Sequence, residues 1–384
     1  MSDQAGNMML IGVGGGGCRF AAAAVQAFGG TLPAIGLDTD ALATRSISGM
    51  RCMILGAQRF DGHGTGGDAV KGRTAMQDDL ETVAAALNGV RLAVVVTALG
   101  GGVGNGATPL VLNALRNVGA HMIVFATLPF ALEGKERRAA ADRALPMIEE
   151  VSDALVVLPM DHLFAMADPQ APLADAIPRA EAVFSAALTL FWRLLLTPGF
   201  IALDADALMA MLTQNKGRCR FAVATGSGEG RSAEVVVQLC RSPLLGRNPA
   251  LHEAQAVTLG VLAGGDLRLA ELTDVTQRLR AALAPGCEMR MGTVLDERQA
   301  GKIELVALLF DVVREKGGAA TAGNEAADGL VPIPGEMRSG RRSRAKGGGR
   351  PMGRGRFKDV EATWFNGEDL DRPTYLRLGI TLDR

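Results

Sequence analysis

The segment Gly100-Gly101-Gly102-Val103-Gly104-Asn105-Gly106 constrains this chain more than any other. An apolar run, Leu92 to Ala98, precedes it, and a helical pattern opens near Ala107. Five glycines in seven residues leave a loop almost free of Cβ atoms, so its backbone N–H groups can close around an anion. The helix N-terminus that follows adds partial positive charge. A strand, glycine loop and helix in this order is phosphate-binding chemistry.

The surrounding pattern supplies a sheet for that loop. Met8–Val13, Ala34–Leu37, Cys52–Leu55, Leu92–Thr97, Met122–Thr127 and Leu155–Leu158 read as strands. Ala22–Phe28, Thr74–Leu87, Pro109–Val118 and Lys135–Val151 read as the helices between them. Alternation of this kind predicts an α/β, doubly wound, mainly parallel sheet with ligands at the carboxyl ends of its strands. A long helical pattern, Arg179–Leu196, ends at the breaker Thr197-Pro198-Gly199. Beyond it, strands at Arg218–Ala224, Val257–Ala263, Glu288–Val294 and Lys302–Phe310 combine with helices at Ser232–Cys240 and Leu269–Leu283. They predict a smaller α/β domain with a mixed sheet.

From Glu315 to about Asp359 the pattern dissolves into Gly, Ala, Arg, Ser and Pro, which bury too little apolar surface to offset ordering entropy. A disordered linker is expected there. Nine basic residues between Arg338 and Lys358, with no acid among them, make it either a solvated tether or a contact for an anionic membrane or nucleic acid. A short apolar element returns afterwards, in which Leu370, Pro373, Tyr375 and Leu376 suit a docking peptide.

With 384 residues the chain has room for two domains, and a net charge of −1 gives no global electrostatic case for nucleic acid. Cys18, Cys52, Cys219, Cys240 and Cys287 lack paired spacing, so neither a disulfide framework nor a zinc site is expected. The start has no basic segment followed by an apolar run. The longest apolar stretch, Leu188–Leu196, is interrupted by Arg193 and too short to span a bilayer. A soluble cytoplasmic protein is the expectation.

One glycine loop alone is weak evidence. Gly12-Val13-Gly14-Gly15-Gly16-Gly17 fits a dinucleotide fingerprint, and Asp38 stands where the acid of such a fold would be, so a dehydrogenase is a rival reading. A second loop at Gly100–Gly106 and a third at Gly62–Gly67 favour instead a nucleoside phosphate gripped from several strands. In chain order, IGVGGGGCRF, LDTDALA, GTGGDAVKGR, TALGGGVGNGATP, LPFALEGKERR, SPLLGRN, GGDLRLAEL and the terminal DLDRPTYLR are similar to segments of the FtsZ family, the bacterial homologues of tubulin.

That resemblance implies a tubulin/FtsZ-like fold. A nucleotide-binding domain would span residues 1–176, a central helix 177–198, an activation domain 199–314, the linker 315–360 and a docking peptide 361–384. It implies GTP/GDP, with magnesium accompanying the nucleotide, and head-to-tail filaments of the chain with itself. Another FtsZ, and a membrane-tethering adaptor bound by the terminal peptide at the division site, are further implied partners. By position, Gly14, Gly15, Gly16, Gly66, Gly67, Gly101, Gly102, Val103, Gly104, Asn105 and Gly106 would surround the phosphates. Arg19, Asp38 and Glu181 stand where the base is met. Glu133 would accept from the ribose, with Arg137 beside the nucleotide, although at i and i+4 the two also suit a plain helical ion pair.

Departures from the family pattern fall on the chemistry. Arg19, Asp38 and Glu181 replace asparagines, and Val103 and Asn105 replace threonines of GGGTGTG. In the loop resembling NxDxxD, Asp204 keeps the first acid, but Ala202 and Ala207 replace the asparagine and the second acid. Asp206 stands two residues beyond Asp204, on another face of any helix starting there. Slow or absent hydrolysis is the expectation; a fully active GTPase and a nucleotide-independent scaffold are the alternatives.

Overall fold

Leu92–Ala98 is buried at six consecutive positions, so it faces apolar side chains on both sides and belongs in the middle of a covered parallel sheet. The computed structural model puts it there. It describes residues 7–164, 172–197, 199–201, 205–245, 251–311, 364–365 and 368–369. Met1–Gly317 and Gly318–Arg384 form separate units.

In the first unit, strands β1 (Met8–Val13), β2 (Ala34–Asp38), β3 (Arg51–Ile54), β4 (Leu92–Ala98), β5 (His121–Leu128) and β6 (Ala154–Pro159) lie in the order β3-β2-β1-β4-β5-β6, all parallel. Helices α1 (Gly14–Ala27), α2 (Ala41–Arg45), α3 (Ala57–Phe60), α4 (Ala69–Asp78) and α5 (Leu80–Ala86) fall between the earlier strands or before β4. α6 (Gly102–Gly106), α7 (Thr108–Asn117), α8 (Lys135–Val151) and α9 (Met160–Phe164) follow β4, β5 and β6. The long α10 (Leu173–Leu196) and α11 (Ala205–Gln214) come next.

Alternation within β1 divides the interior. Met8 and Leu10 join Phe20 and Val25 of α1 and Phe184, Phe191 and Trp192 of α10. Ile11 and Val13 face the other way, with Met76, Val83, Leu112 and Ile148 of the opposite helix layer. On the first side, aromatic rings meet edge to face, Phe20 with Phe184 at 5.0 Å and Phe125 with Phe221 at 5.1 Å between centroids.

Four further strands, β7 (Gly217–Ser227), β8 (Ala254–Ala263), β9 (Glu288–Leu295) and β10 (Lys302–Asp311), run in the order β7-β10-β8-β9. β10 is antiparallel to β7 and β8, while β8 and β9 are parallel. Helices α12 (Arg231–Cys240) and α13 (Leu269–Ala282) cover this part and are tied by buried Arg231, which donates to Asp266 at 2.7 Å and Glu271 at 2.8 Å. The mixed sheet is not separate: β6 pairs in parallel with β7 through Ala154–Val156 and Gly217–Cys219, giving one ten-stranded sheet. Asp153 makes that junction, accepting from Met122 N at 2.9 Å and Lys216 Nζ at 3.0 Å while its carbonyl takes Gly217 N.

The fold class is the expected α/β architecture, a mainly parallel sheet continued by a mixed one, with differences in detail. The first helix begins at Gly14, eight residues before the expected start at Ala22. The expected helix Thr74–Leu87 divides at Asp79, whose carboxylate accepts from Gly56 N at 2.6 Å. The short α2, α3, α6 and α9 have too few residues to carry a periodic signal. None of the described helices is long and apolar enough to cross a membrane. The expected linker and docking peptide lie outside the described residues, apart from a two-by-two pairing of Trp364–Phe365 with Glu368–Asp369.

Candidate nucleotide site

β1 and β4 are register partners at Val13 and Thr97, so the glycine segments that follow them leave the sheet side by side. Val13 is extended and Gly14 has φ +73°, a left-handed turn that an L side chain rarely adopts, which sends the chain directly into α1. A Cβ on Gly14 would stand 3.1 Å from Gly104 N, so the two loops approach backbone to backbone. Gly15 turns towards Asp38, whose Oδ2 lies 3.4 Å from the corresponding Cβ position. Gly16 instead packs against Ala98, at 2.5 Å from its Cβ by the same measure. Its lack of a side chain serves the contact between α1 and β4.

The second loop divides in the same way. Gly101 has no neighbour within 4 Å of where a Cβ would be, leaving ligand space in front of it. Gly102 is pressed against Thr65 and Asp68, Gly104 against Ala98, and Gly106 against Ala69 and Arg73. Gly72 of α4 meets the carbonyl of Gly102 so closely that no side chain fits. Val103 is buried in the apolar layer. Asn105 is also buried; its Oδ1 accepts from Gly100 N at 2.9 Å, clipping the loop closed, while its Nδ2 has no partner among the described residues. Thr108 Oγ1 donates to Gly104 O at 2.6 Å and lies 3.0 Å from Thr97 Oγ1.

The third loop brings Gly66 and Gly67 to open space, with no atom within 4 Å of either Cβ position. Asp68 after them caps α4, accepting from Val70 N at 2.8 Å and Lys71 N at 3.3 Å. Thr39, Thr65, Thr97, Thr108 and the cap Asp68 escaped the sequence reading. An aspartate one residue before a helical pattern is the signal that would have found the cap; isolated threonines carry none.

Asp38 ends β2 and is buried. Burial pushes its carboxyl up to about 6; the Thr39 N–H, donating at 2.9 Å, and the Arg19 charge oppose the shift, whereas Asp40 adds to it. Arg19, on α1, is exposed at its surface. Glu133 and Arg137 form an ion pair of 2.5 Å, and the other Glu133 oxygen accepts from Phe130 N at 3.0 Å. Both carboxylate oxygens are therefore engaged, so a ribose hydroxyl would share or displace one of these partners. Gly100 packs beside the Arg137 carbonyl, which joins this segment to the second loop. Glu181 belongs to α10, but its side chain is not among those described.

A polyphosphate fits this arrangement: two backbones meet without side chains between them, three open glycines face outward, and the donors are N–H groups. Among the described residues no group of three or more His, Cys, Asp or Glu is placed to hold a metal ion.

The candidate catalytic loop is separate from these glycines. Phe200 and Ile201 are bridged to Thr293 by backbone hydrogen bonds of 2.8 Å, and Phe200 is exposed. Ala202 and Asp204 lie outside the described residues, as do Leu370, Pro373, Tyr375 and Leu376. Asp206 is described, and its carboxylate pairs with Arg91 at 2.9 Å. A cavity of about 780 Å³ between Phe28, Arg193 and Asp296 shares no residue with the glycine loops.

Residues 7–168 match the model of the Tubulin/FtsZ family, GTPase domain, and residues 217–312 that of the FtsZ family, C-terminal domain. The chain is 29% identical over 287 residues to a cell division protein FtsZ of Pseudomonas putida, covering 75% of this chain and 72% of that one. It is also 29% identical over 306 residues to cell division protein FtsZ 1 of Rhizobium meliloti, covering 79% of this chain but only 51% of the relative, about half its length. An empty FtsZ dimer from M. jannaschii superposes with a TM-score of 0.73 at 26% identity, over 80% of this chain and 88% of the other. A GTPγS-bound CetZ2 protofilament from Haloferax volcanii has a TM-score of 0.68 over 79% and 92%, and at 20% identity it speaks for the fold alone. With the two domain models matched in chain order, the first of them over the paired glycine loops, the chain belongs to the tubulin/FtsZ family as an FtsZ-like member.

Proposed function

We propose that the chain binds guanine nucleotide in the glycine cradle and assembles head to tail into filaments that serve cell division, with hydrolysis that is slow or absent. The approach of Gly14 to Gly104, with Gly101, Gly66 and Gly67 open around it, is the observation that carries the binding. Backbone N–H groups remain as phosphate donors where Val103 and Asn105 replace hydroxyls; each lost charged hydrogen bond weakens binding by about 1–3 kcal/mol. Magnesium would be held chiefly by the phosphates themselves. The domain expected at 1–176 holds the nucleotide, the central helix expected at 177–198 is α10 (Leu173–Leu196), and the activation domain expected at 199–314 presents its loop to the next subunit.

Asp204 is the remaining acid of that loop, and phosphoryl transfer depends on positioning water and stabilising charge. The pairing of Asp206 with Arg91 supports impaired hydrolysis over a fully active GTPase, because Asp206 would have to leave Arg91 to replace the missing acid. The C-terminal segment 361–384 recruits the chain to a membrane-tethering adaptor through Leu370, Pro373, Tyr375 and Leu376, and another FtsZ is the natural co-polymer. Residues 315–360 tether it, and their basic run is the segment suited to an anionic membrane or nucleic acid.

The decisive measurement is the nucleotide released by denaturing gently purified protein, separated by anion exchange. GTP or GDP is expected; NAD would restore the dehydrogenase reading, and no nucleotide together with GTP-independent pelleting would establish a scaffold. Phosphate release from assembled protein tests the hydrolytic part, and an ordinary concentration-dependent turnover would overturn it.

A further inference from the structure

Two thiols from distant parts of the chain meet beside the first glycine loop. Cys18 is the fifth residue of α1, directly before Arg19, and Cys52 is in β3, where it is the register partner of Gly36 on β2. The point a Cβ on Gly36 would occupy is 2.7 Å from Cys52 Sγ and 3.1 Å from Cys18 Sγ. Both sulfurs thus converge on space that glycine leaves empty. Neither is in a disulfide. Cys18 is buried, with Gly12 O at 3.4 Å and Leu37 O at 3.8 Å from its sulfur, while Cys52 is half-buried.

The two environments differ in the way a reactive pair requires. The neighbouring Cys52 thiol, followed by burial, raises the Cys18 thiol well above its ordinary range, while Cys18 holds Cys52 below its own. Cys52 is also the half-buried sulfur of the two, so peroxide reaches it first, and buried Cys18 is the resolving sulfur behind it.

We propose that Cys18 and Cys52 are a redox modification site, oxidised by peroxide to a reversible disulfide that weakens nucleotide binding at the adjoining loop. The Cys52 thiolate attacks one peroxide oxygen, the O–O bond breaks, and the departing hydroxide takes a proton to become water, leaving Cys52 as a sulfenic acid. Cys18 then loses its proton and attacks that sulfur; the S–O bond breaks and a second water leaves. Two thiols and one hydrogen peroxide give one disulfide and two waters, and a dithiol reverses the bond by exchange. An S–S bond of about 2.05 Å is shorter than any non-bonded contact of two sulfurs. Closing it draws the start of α1 towards β3, and that start also carries Gly14, Gly15 and Arg19. The effect on binding rests on the nucleotide reading above, whereas the disulfide chemistry does not.

The test treats the full-length protein with hydrogen peroxide, blocks free thiols with iodoacetamide and maps non-reduced peptides by mass spectrometry. A Cys18–Cys52 linked peptide that disappears with dithiothreitol is expected. Fluorescent GTP-analogue binding should weaken about tenfold on oxidation and recover on reduction. Cys52→Ala should remove both responses, while Cys240→Ser and Cys287→Ser should keep them. Peroxide that leaves both thiols free, or oxidises Cys52 without linking it to Cys18, overturns the site. A linked peptide with unchanged binding overturns the coupling. Reduced protein that binds no nucleotide refutes the nucleotide reading, and the peptide map still decides the disulfide.

Discussion

Arg91 donates from Nη2 to Oδ1 of Asp206 at 2.9 Å, joining residues 115 positions apart just before β4 and at the start of α11. The pair draws the one described acid of the candidate catalytic loop towards the amino-terminal edge of the parallel sheet. Because Arg91 and Asp206 are both largely exposed, the pair contributes at most about 1 kcal/mol. Asp206→Ala should therefore change unfolding stability by less than ~1 kcal/mol in urea titrations and leave phosphate release within about twofold of the parent. A tenfold fall at normal assembly would make Asp206 catalytic.

Restoring the loop should restore chemistry. Ala207 is the third residue of α11 and its carbonyl accepts from Arg290 Nη1 at 3.4 Å, so an aspartate there stands near a cation that steadies it. Ala202→Asn combined with Ala207→Asp should raise turnover of assembled protein by at least about tenfold. Normal filaments with no gain would count against the missing acid as the cause.

Two glycines separate ligand space from packing space. A methyl on Gly101 meets nothing within 4 Å, so Gly101→Ala should keep stability within about 0.5 kcal/mol yet weaken nucleotide binding by obstructing the cradle. Gly72→Ala drives a methyl into the Gly102 carbonyl and should destabilise by about 1–3 kcal/mol in the same titration. Equal losses of binding and stability in both variants would contradict this division.

Asp38 gives a pH signature of known sign. Its folded-state value of about 6 exceeds the ordinary 3.8, so between these values the folded protein holds a proton that the unfolded chain has lost. Stability from this group is present below about 4 and is lost as pH rises through 6. Asp38→Asn should therefore be more stable than the parent at pH 8, by roughly 1–3 kcal/mol at 1.36 kcal/mol per unit, with the advantage vanishing near pH 4. Nucleotide-free protein followed by urea unfolding at both pH values checks this, and a pH-independent difference would refute it.

Regular elements were legible where burial imposes a period. β1 and α8 have their expected bounds, and β4, α7 and α12 differ by a residue or so at their ends. Legibility failed where a glycine was read as freedom. Gly16 and Gly17 looked like loop, yet they are helical because β4 lies too close to α1 for any side chain. Asn105 stands in the phosphate loop as a substituted threonine, and its amide oxygen holds the loop through Gly100 N. Ala98, which crowds Gly16, is distant in the chain, so no local pattern could reveal that contact.

By itself the sequence determined the alternation of strands and helices, the three glycine loops and the replacement of Asn and Asp by Ala202 and Ala207, because periodicity, backbone freedom and side-chain chemistry are local properties. Only the tertiary structure decided that β6 and β7 fuse two sheets into one, that Gly14 meets Gly104, and that Asp206 turns to Arg91. It also decided that Cys18 and Cys52 converge over Gly36. Each of these depends on strand register and on how closely two backbones approach, quantities that exist only once distant segments are packed together.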